Sequence, residues 1–204
     1  MSNGLTLWKM LRSSLAGVAG AEAAAIVEFA VALPLLIVVV VGIYDFGGAF
    51  NMKQELTNAA REGARYGSTQ PTNDLYNSTT PPTVEAIHKM VDSYLLAANI
   101  NDCGLSAAVG TKGGNTLLWT FNANTGCGGK QLQLFIQRDF PGPGTQTNGC
   151  YATSPPQNVY VLCTQVTINY PYRWHFNNVI GLLIPGGQLN LLNIQTEATA
   201  PNTD

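Results

Sequence analysis

The sequence predicts an α+β protein in which a long N-terminal transmembrane helix continues into an extracytoplasmic domain, with a second helix and a small antiparallel sheet. Three observations predict it. An apolar run near the N-terminus is long enough to cross a bilayer. Helical periodicity carries on beyond that run. The C-terminal half then breaks into short stretches rich in Val, Ile, Leu and Tyr, separated by Gly-, Pro- and Asn-rich turns. The expected organisation is a leader at 1–23, the transmembrane half of the helix at 24–44, its projecting half at 45–67, and a disulfide-tied domain at 68–204.

Between Ala23 and Tyr44 the only charged residue is Glu28. At about 1.5 Å per residue this segment reaches roughly 33 Å, enough for a hydrocarbon core. A buried core helix of that length would show a polar face, and this one shows none. A cleaved secretory signal fits less well. Lys9 and Arg12 could form its basic region, but Ser13 to Val18 is too short and too weakly apolar, and the true apolar run lies after the small residues Ala19-Gly20-Ala21. A short cytoplasmic leader ahead of a membrane anchor is the layout that fits.

Basic residues flank the run on both sides, with Lys9 and Arg12 before it and Lys53, Arg61 and Arg65 after it. Charge therefore leaves the orientation open. Cysteine decides it. Cys103, Cys127, Cys150 and Cys163 all lie on the C-terminal side, without a CxxC pair or zinc-ligand spacing. Two disulfides in an oxidising compartment are expected, which puts the N-terminus in the cytoplasm and the domain outside it. Pairing Cys103 with Cys127 and Cys150 with Cys163 closes the most modest loops, although spacing alone does not fix it.

Beyond the span, Ala49, Met52, Leu56, Ala59, Ala60, Gly63 and Ala64 recur at three- and four-residue spacing, opposite Lys53, Glu55, Arg61, Glu62 and Arg65. Gly67 is the expected stop, so Ala23 to Tyr66 forms one helix of about 66 Å. Its small-residue seam suits close packing, against another helix or against the chain's own domain. Ser68 to Pro82 reads as a polar loop holding an Asn77-Ser78-Thr79 sequon of little weight. A second helix follows, with Thr83 as N-cap, a Val84, Ile87, Val91, Tyr94, Leu95 and Ala98 stripe, and an end at Asn99 or Asn101. Strands are expected at 115–122, 131–138, 158–170 and 189–199, with 141–156 as loop.

With a net charge of −2 and pI near 5.6, no basic field supports nucleic-acid binding. No catalytic constellation is legible: His88 and His175 have no nucleophile or metal partner and read as surface or packing residues, and GxSxG, P-loop and HExxH motifs are absent. The Pro141-Gly142-Pro143-Gly144 stretch lacks the strand–helix context of a phosphate cradle. No enzyme activity and no cofactor are expected.

Four blocks together resemble the TadE-like family, minor pseudopilins of tight-adherence (Flp-type) pilus systems. They are Ala25-Ile26-Val27-Glu28-Phe29-Ala30, Leu33-Pro34-Leu35-Leu36, Gly42-Ile43-Tyr44-Asp45-Phe46-Gly47 and Asn58-Ala59-Ala60-Arg61-Glu62-Gly63-Ala64-Arg65-Tyr66. The last is the most specific. One departure is Gly48, where the family usually carries Arg after Asp-Phe-Gly. The resemblance implies a pilin-like domain on a single-pass protein of the bacterial inner membrane, processed by a prepilin peptidase and needed for pilus biogenesis. It implies as partners other pseudopilin and pilin subunits and the inner-membrane assembly platform. Entry into the pilus itself stays open.

In that family Glu28 would serve assembly by pairing with the free α-amine of a mature subunit, whereas a solvated carboxylate at headgroup level is the bland reading. Placing Glu28 fifth in the mature chain puts the cut between Ala23 and Ala24. The usual Gly before the cut is missing there, and a cut between Gly20 and Ala21 would place Glu28 eighth. Pro34 removes a backbone donor within the span and could kink or locally unwind the helix. Arg61, Glu62 and Arg65 are expected either to pair locally or to clamp the helix to the domain or a partner. The competing functional class is a membrane-anchored periplasmic or surface adhesive protein with no pilus role.

Overall fold

The computed structural model describes residues 4–76, 79–114, 117–140, 146–147, 150–152, 160–174 and 192–203; for 4–22, 146–147, 151–152 and 160 it describes the backbone alone. The chain divides into two compact units, Met1–Gly47 and Gly48–Asp204. Helix α1, Gly4–Ser68, runs through both. It begins well ahead of Ala23, so the leader is helical too. In the first unit the aliphatic side chains from Ile26 to Ile43 stay largely exposed, and the helix is unbroken at Pro34, with no local unwinding.

The second unit is an α+β fold. Its elements after α1 are α2 (Pro82–Ala97), a short 3-10 turn (Leu105–Ala107), and strands β1 (Thr111–Lys112), β2 (Leu118–Ala123), β3 (Leu132–Phe140), β4 (Gln146–Thr147), β5 (Cys150–Ala152), β6 (Tyr160–Val161), β7 (Cys163–Tyr172) and β8 (Leu192–Pro201). A five-stranded antiparallel sheet has the order β1-β2-β3-β7-β8, and β4-β5-β6 form a second, three-stranded one. Strand β3 alternates buried Leu132, Leu134 and Ile136 with half-buried Gln133, Phe135 and Gln137, the period of two that one covered face imposes.

The core lies between that face and two helices. Leu56, Ala59, Ala60 and Ala64 of α1 join Val84, Ile87, Val91 and Leu95 of α2 over Trp119, Phe121, Leu134, Ile136, Val166 and Ile168. Small residues let α1 come close. A Cβ on Gly63 would stand 2.7 Å from a Val91 methyl, and one on Gly67 would stand 2.7 Å from a Thr164 methyl. Residues 48–68 of α1 thus belong to the same compact unit as the sheet, which starts at Gly48 rather than at Ser68.

Three local expectations are corrected. Thr83 lies inside the first turn of α2, and Pro81 is the N-cap. The capping acceptor is Asp74, which takes the Thr83 N–H at 3.0 Å and the Thr83 hydroxyl at 2.8 Å. A carboxylate nine residues upstream does what a local cap would do. The expected strand at 158–170 divides between β6 and β7, which belong to different sheets, and the expected loop at 141–156 contains β4 and β5. Tyr151 of β5 pairs with Val161 of β6, so this segment follows a second ladder instead of extending the first.

Disulfides join Cys103 to Cys127 and Cys150 to Cys163. The first ties the turn after α2 to the β2–β3 connection, and the second ties β5 to the start of β7. Arg138, on β3, is almost fully buried and reaches the end of α1, donating to Gly67 O and, at 2.7 Å, to Gln70 O. A guanidinium is well matched to the carbonyls left unpaired at a helix C-terminus. Asn77, Ser78, Pro141 to Gly144 and His175 lie outside the described residues.

Candidate functional site

The residues singled out by sequence are strung along α1. Glu28, Phe29, Pro34, Asp45 and Phe46 belong to the first unit, and Asn58, Arg61, Glu62 and Arg65 to the second. Ala23 and Ala24, and Gly20 and Ala21, all sit within the helix. One helical stretch within Ala23–Ser68 is long and apolar enough to cross a membrane, and its apolar window is wholly unburied. Glu28 and Phe29 are exposed along it. A carboxylate on such a surface costs roughly 2.5–3.5 kcal/mol at a bilayer centre and less towards an end. Asp45 is buried, while its neighbours Tyr44 and Phe46 are exposed.

In the second unit α1 has two contrasting faces. Leu56, Ala59, Ala60, Gly63 and Ala64 turn inward, and Lys53, Asn58, Arg61 and Arg65 turn outward. Arg65 Nη1 stands 3.9 Å from Glu62 Oε2, and both side chains are well exposed. Local pairing describes this contact; a clamp from Arg65 onto the domain does not form. A pair so exposed contributes at most a few tenths of a kcal/mol, on the order of 0.2–0.5.

His88 is fully buried on α2. Its Nε2 lies 2.8 Å from Leu105 O, its Nδ1 lies 3.6 Å from Glu85 Oε2, and its ring stacks on Phe121 with centroids 4.2 Å apart. The imidazole is therefore a packing element linking α2, the 3-10 turn and β2. Nearby, burial holds the Asp92 carboxyl above its usual range; the adjacent Asp102 carboxylate adds to this, and His88 works against it. Among the described residues no group of three or more His, Cys, Asp and Glu side chains could hold a metal ion.

Among the described residues of the second unit, two clefts stand out. One, of about 200 Å³, is lined by Met52, Asn101, Cys127, Tyr170, Tyr172 and Arg173. The other, of about 470 Å³, lies among Thr72, Leu75, Tyr76, Leu117, Arg138 and Leu162. Sequence reasoning missed Arg138 and Asp74, because each acts on a segment far away in sequence. For Asp74 the one signal available was its isolation as the sole charge between Arg65 and Glu85.

No curated protein and no solved structure matches the chain. The segment that carries the exposed apolar helix, Glu28 and the Asn58 to Arg65 block does have a match: residues 23–65 fit the family model described as TadE-like protein.

Proposed function

We propose that this chain is a minor pseudopilin-type component of a tight-adherence type IV pilus system, anchored by α1 and needed for the filament to assemble. The supporting observation is the family match over residues 23–65, which falls on the helix whose first half is apolar and exposed and whose second half is built into a folded unit. The TadE-like family implies a pilus-associated role. The finer reading assigns priming, capping or organising of assembly to this subunit, with no catalytic step of its own.

In this reading the protein spans the bacterial inner membrane once. Two disulfides in the second unit support a periplasmic location for it and a cytoplasmic N-terminus. A prepilin peptidase removes the leader, either between Ala23 and Ala24 or between Gly20 and Ala21. Glu28 then pairs with the free α-amine of a mature subunit. Such pairing offsets the cost of a carboxylate beside lipid. Other pseudopilins, pilins and the inner-membrane platform are the partners.

Piliation in the native host tests this. Deleting the gene should abolish filaments, and Glu28→Ala should insert normally but restore few or none. Intact-mass measurement of membrane-purified protein should find a new N-terminus at Ala24 or Ala21. Normal piliation in the deletion strain would contradict the proposal and favour an anchored adhesive protein instead.

A further inference from the structure

The two disulfides of the second unit sit in different surroundings. Cys150 and Cys163 belong to β5 and β7 and are buried, at 1 % and 0 % exposure. Cys103 and Cys127 lie in turns outside the regular elements. Cys103 is fully buried, but Cys127 is only half-buried and lines the cleft of about 200 Å³ together with Met52, Asn101, Tyr170 and Arg173. This bridge therefore presents one of its two cysteines to the cleft and hides the other.

The wall of the cleft is built around that exposed end. Arg173 is exposed, and its Nη2 donates to Gly128 O at 3.0 Å, on the residue after Cys127. Gly128 has a left-handed φ of 58°, and a Cβ there would collide with the Arg173 guanidinium. The glycine thus seats a cation against the Cys127 turn. Asn101 holds the two turns together: its Oδ1 accepts the Cys103 N–H at 3.0 Å, and its Nδ2 donates to Gly126 O at 3.1 Å. The Thr125 N–H adds a bond to Cys103 O at 2.8 Å. None of these bonds involves sulfur, so opening the S–S bond leaves them in place.

We infer that Cys103–Cys127 is a thiol–disulfide exchange site for a dithiol protein, entered through the cleft at Cys127 Sγ. The attacking group is a thiolate, and the Arg173 cation draws it to the cleft. A mixed disulfide forms with Cys127, the S–S bond to Cys103 breaks, and Cys103 leaves as a thiolate that takes up a proton. The partner's second thiol loses its proton and attacks the partner's own sulfur in the mixed disulfide. Cys127 then leaves as a thiolate and is protonated in turn. The chain gains two electrons and two protons as two thiols, and the partner's dithiol is oxidised to a disulfide. Cys150–Cys163 stays closed as a structural bridge, because both of its cysteines are buried away from a nucleophile. The inference does not rest on the pilus reading.

The test uses the full chain in detergent micelles without denaturant, with tryptophan fluorescence recording that the fold is kept. Dithiothreitol and reduced thioredoxin are the probes, and the thiols they release are trapped with N-ethylmaleimide and mapped by mass. Labelling of Cys103 and Cys127 is expected to run at least about tenfold faster than that of Cys150 and Cys163. With glutathione, a monothiol, the adduct should map to Cys127. Arg173→Ala should slow reduction by these thiolates and leave reduction by a neutral phosphine unchanged, a split that a merely structural loss would not produce. Opening of both bridges at one rate, or of Cys103–Cys127 only after unfolding, would overturn the site. An adduct on Cys103 would overturn the entry point, and equal slowing of thiolate and phosphine would overturn the role of Arg173. Reduction by dithiothreitol but not by thioredoxin would overturn the protein partner.

Discussion

Helix α1 carries two different surfaces on one continuous backbone. In its first half, branched and aliphatic side chains point in every direction and stay uncovered, as with Ile26, Val31, Leu36 and Ile43. In its second half the apolar residues narrow to one seam, mostly of Ala and Gly, and the opposite face carries Lys, Arg and Asn. The difference is the one that two solvents would impose on one helix. Lipid accepts large apolar groups all round, whereas a sheet and a neighbouring helix demand small residues on one side and water demands polar ones on the other. The seam is narrow because α1 packs close enough for a single methyl group on Gly63 to collide with Val91.

Equivalent truncations in the two halves should therefore differ most. Leu56 is fully buried, and Leu36 is 58 % exposed. Leu56→Ala should cost about 2–5 kcal/mol of stability in the second unit. Leu36→Ala should leave that unit's unfolding unchanged within about 0.5 kcal/mol. Chemical denaturation of the detergent-solubilised chain, followed by Trp119 fluorescence, checks the pair. Similar losses from both would mean that the halves are not distinct.

Enlarging the seam comes next in size. Gly63→Val should cost about 1–3 kcal/mol through overpacking against Val91 and Val166. Gly47→Val, on the first half where nothing stands within 4 Å of a Cβ, should leave the denaturation midpoint of the second unit in place. A harmless Gly63→Val would mean that α1 stands further from α2 than described.

The smallest effect concerns pH. Asp92 is 8 % exposed, and its carboxyl is raised above the ordinary value of 3.8, chiefly by burial. The unfolded chain then loses this proton more readily than the folded one. Stability should fall as pH climbs from about the unfolded value through the folded one, and level off beyond it. Asp92→Asn should remove that slope, raising Tm slightly near neutrality and leaving it unchanged in strong acid. Thermal melts of both proteins at a series of pH values measure it, and parallel profiles would contradict the assignment.

How much was legible in the sequence follows the same division. The small-residue seam, the α2 stripe and the alternating β3 leave periodic marks within a short window, the apolar run leaves an unbroken one, and each became the element expected of it. Asp74 capping α2, Arg138 holding the end of α1 and the split between β6 and β7 left none. These depend on partners far along the chain: Arg138 and Gly67 meet only once the sheet closes on the helix. The orientation of β8 alongside α1 belongs to the same class, since Thr196 and Thr57 meet only in the folded unit. The low charge of the region 68–204 was visible, but which few charges were buried was not.

The central claim is that residues up to about Gly47 lie in lipid and those beyond it in a water-facing fold. Single cysteines at Val38 and Asn58, both exposed on α1, test it directly, since the described native cysteines are paired in disulfides. Each variant, in sealed vesicles, is treated with a membrane-impermeant maleimide from the side bearing the folded unit. The account predicts rapid labelling of Asn58→Cys, and labelling of Val38→Cys only after the bilayer is dissolved and the chain denatured. Equal labelling of both in intact vesicles would contradict it.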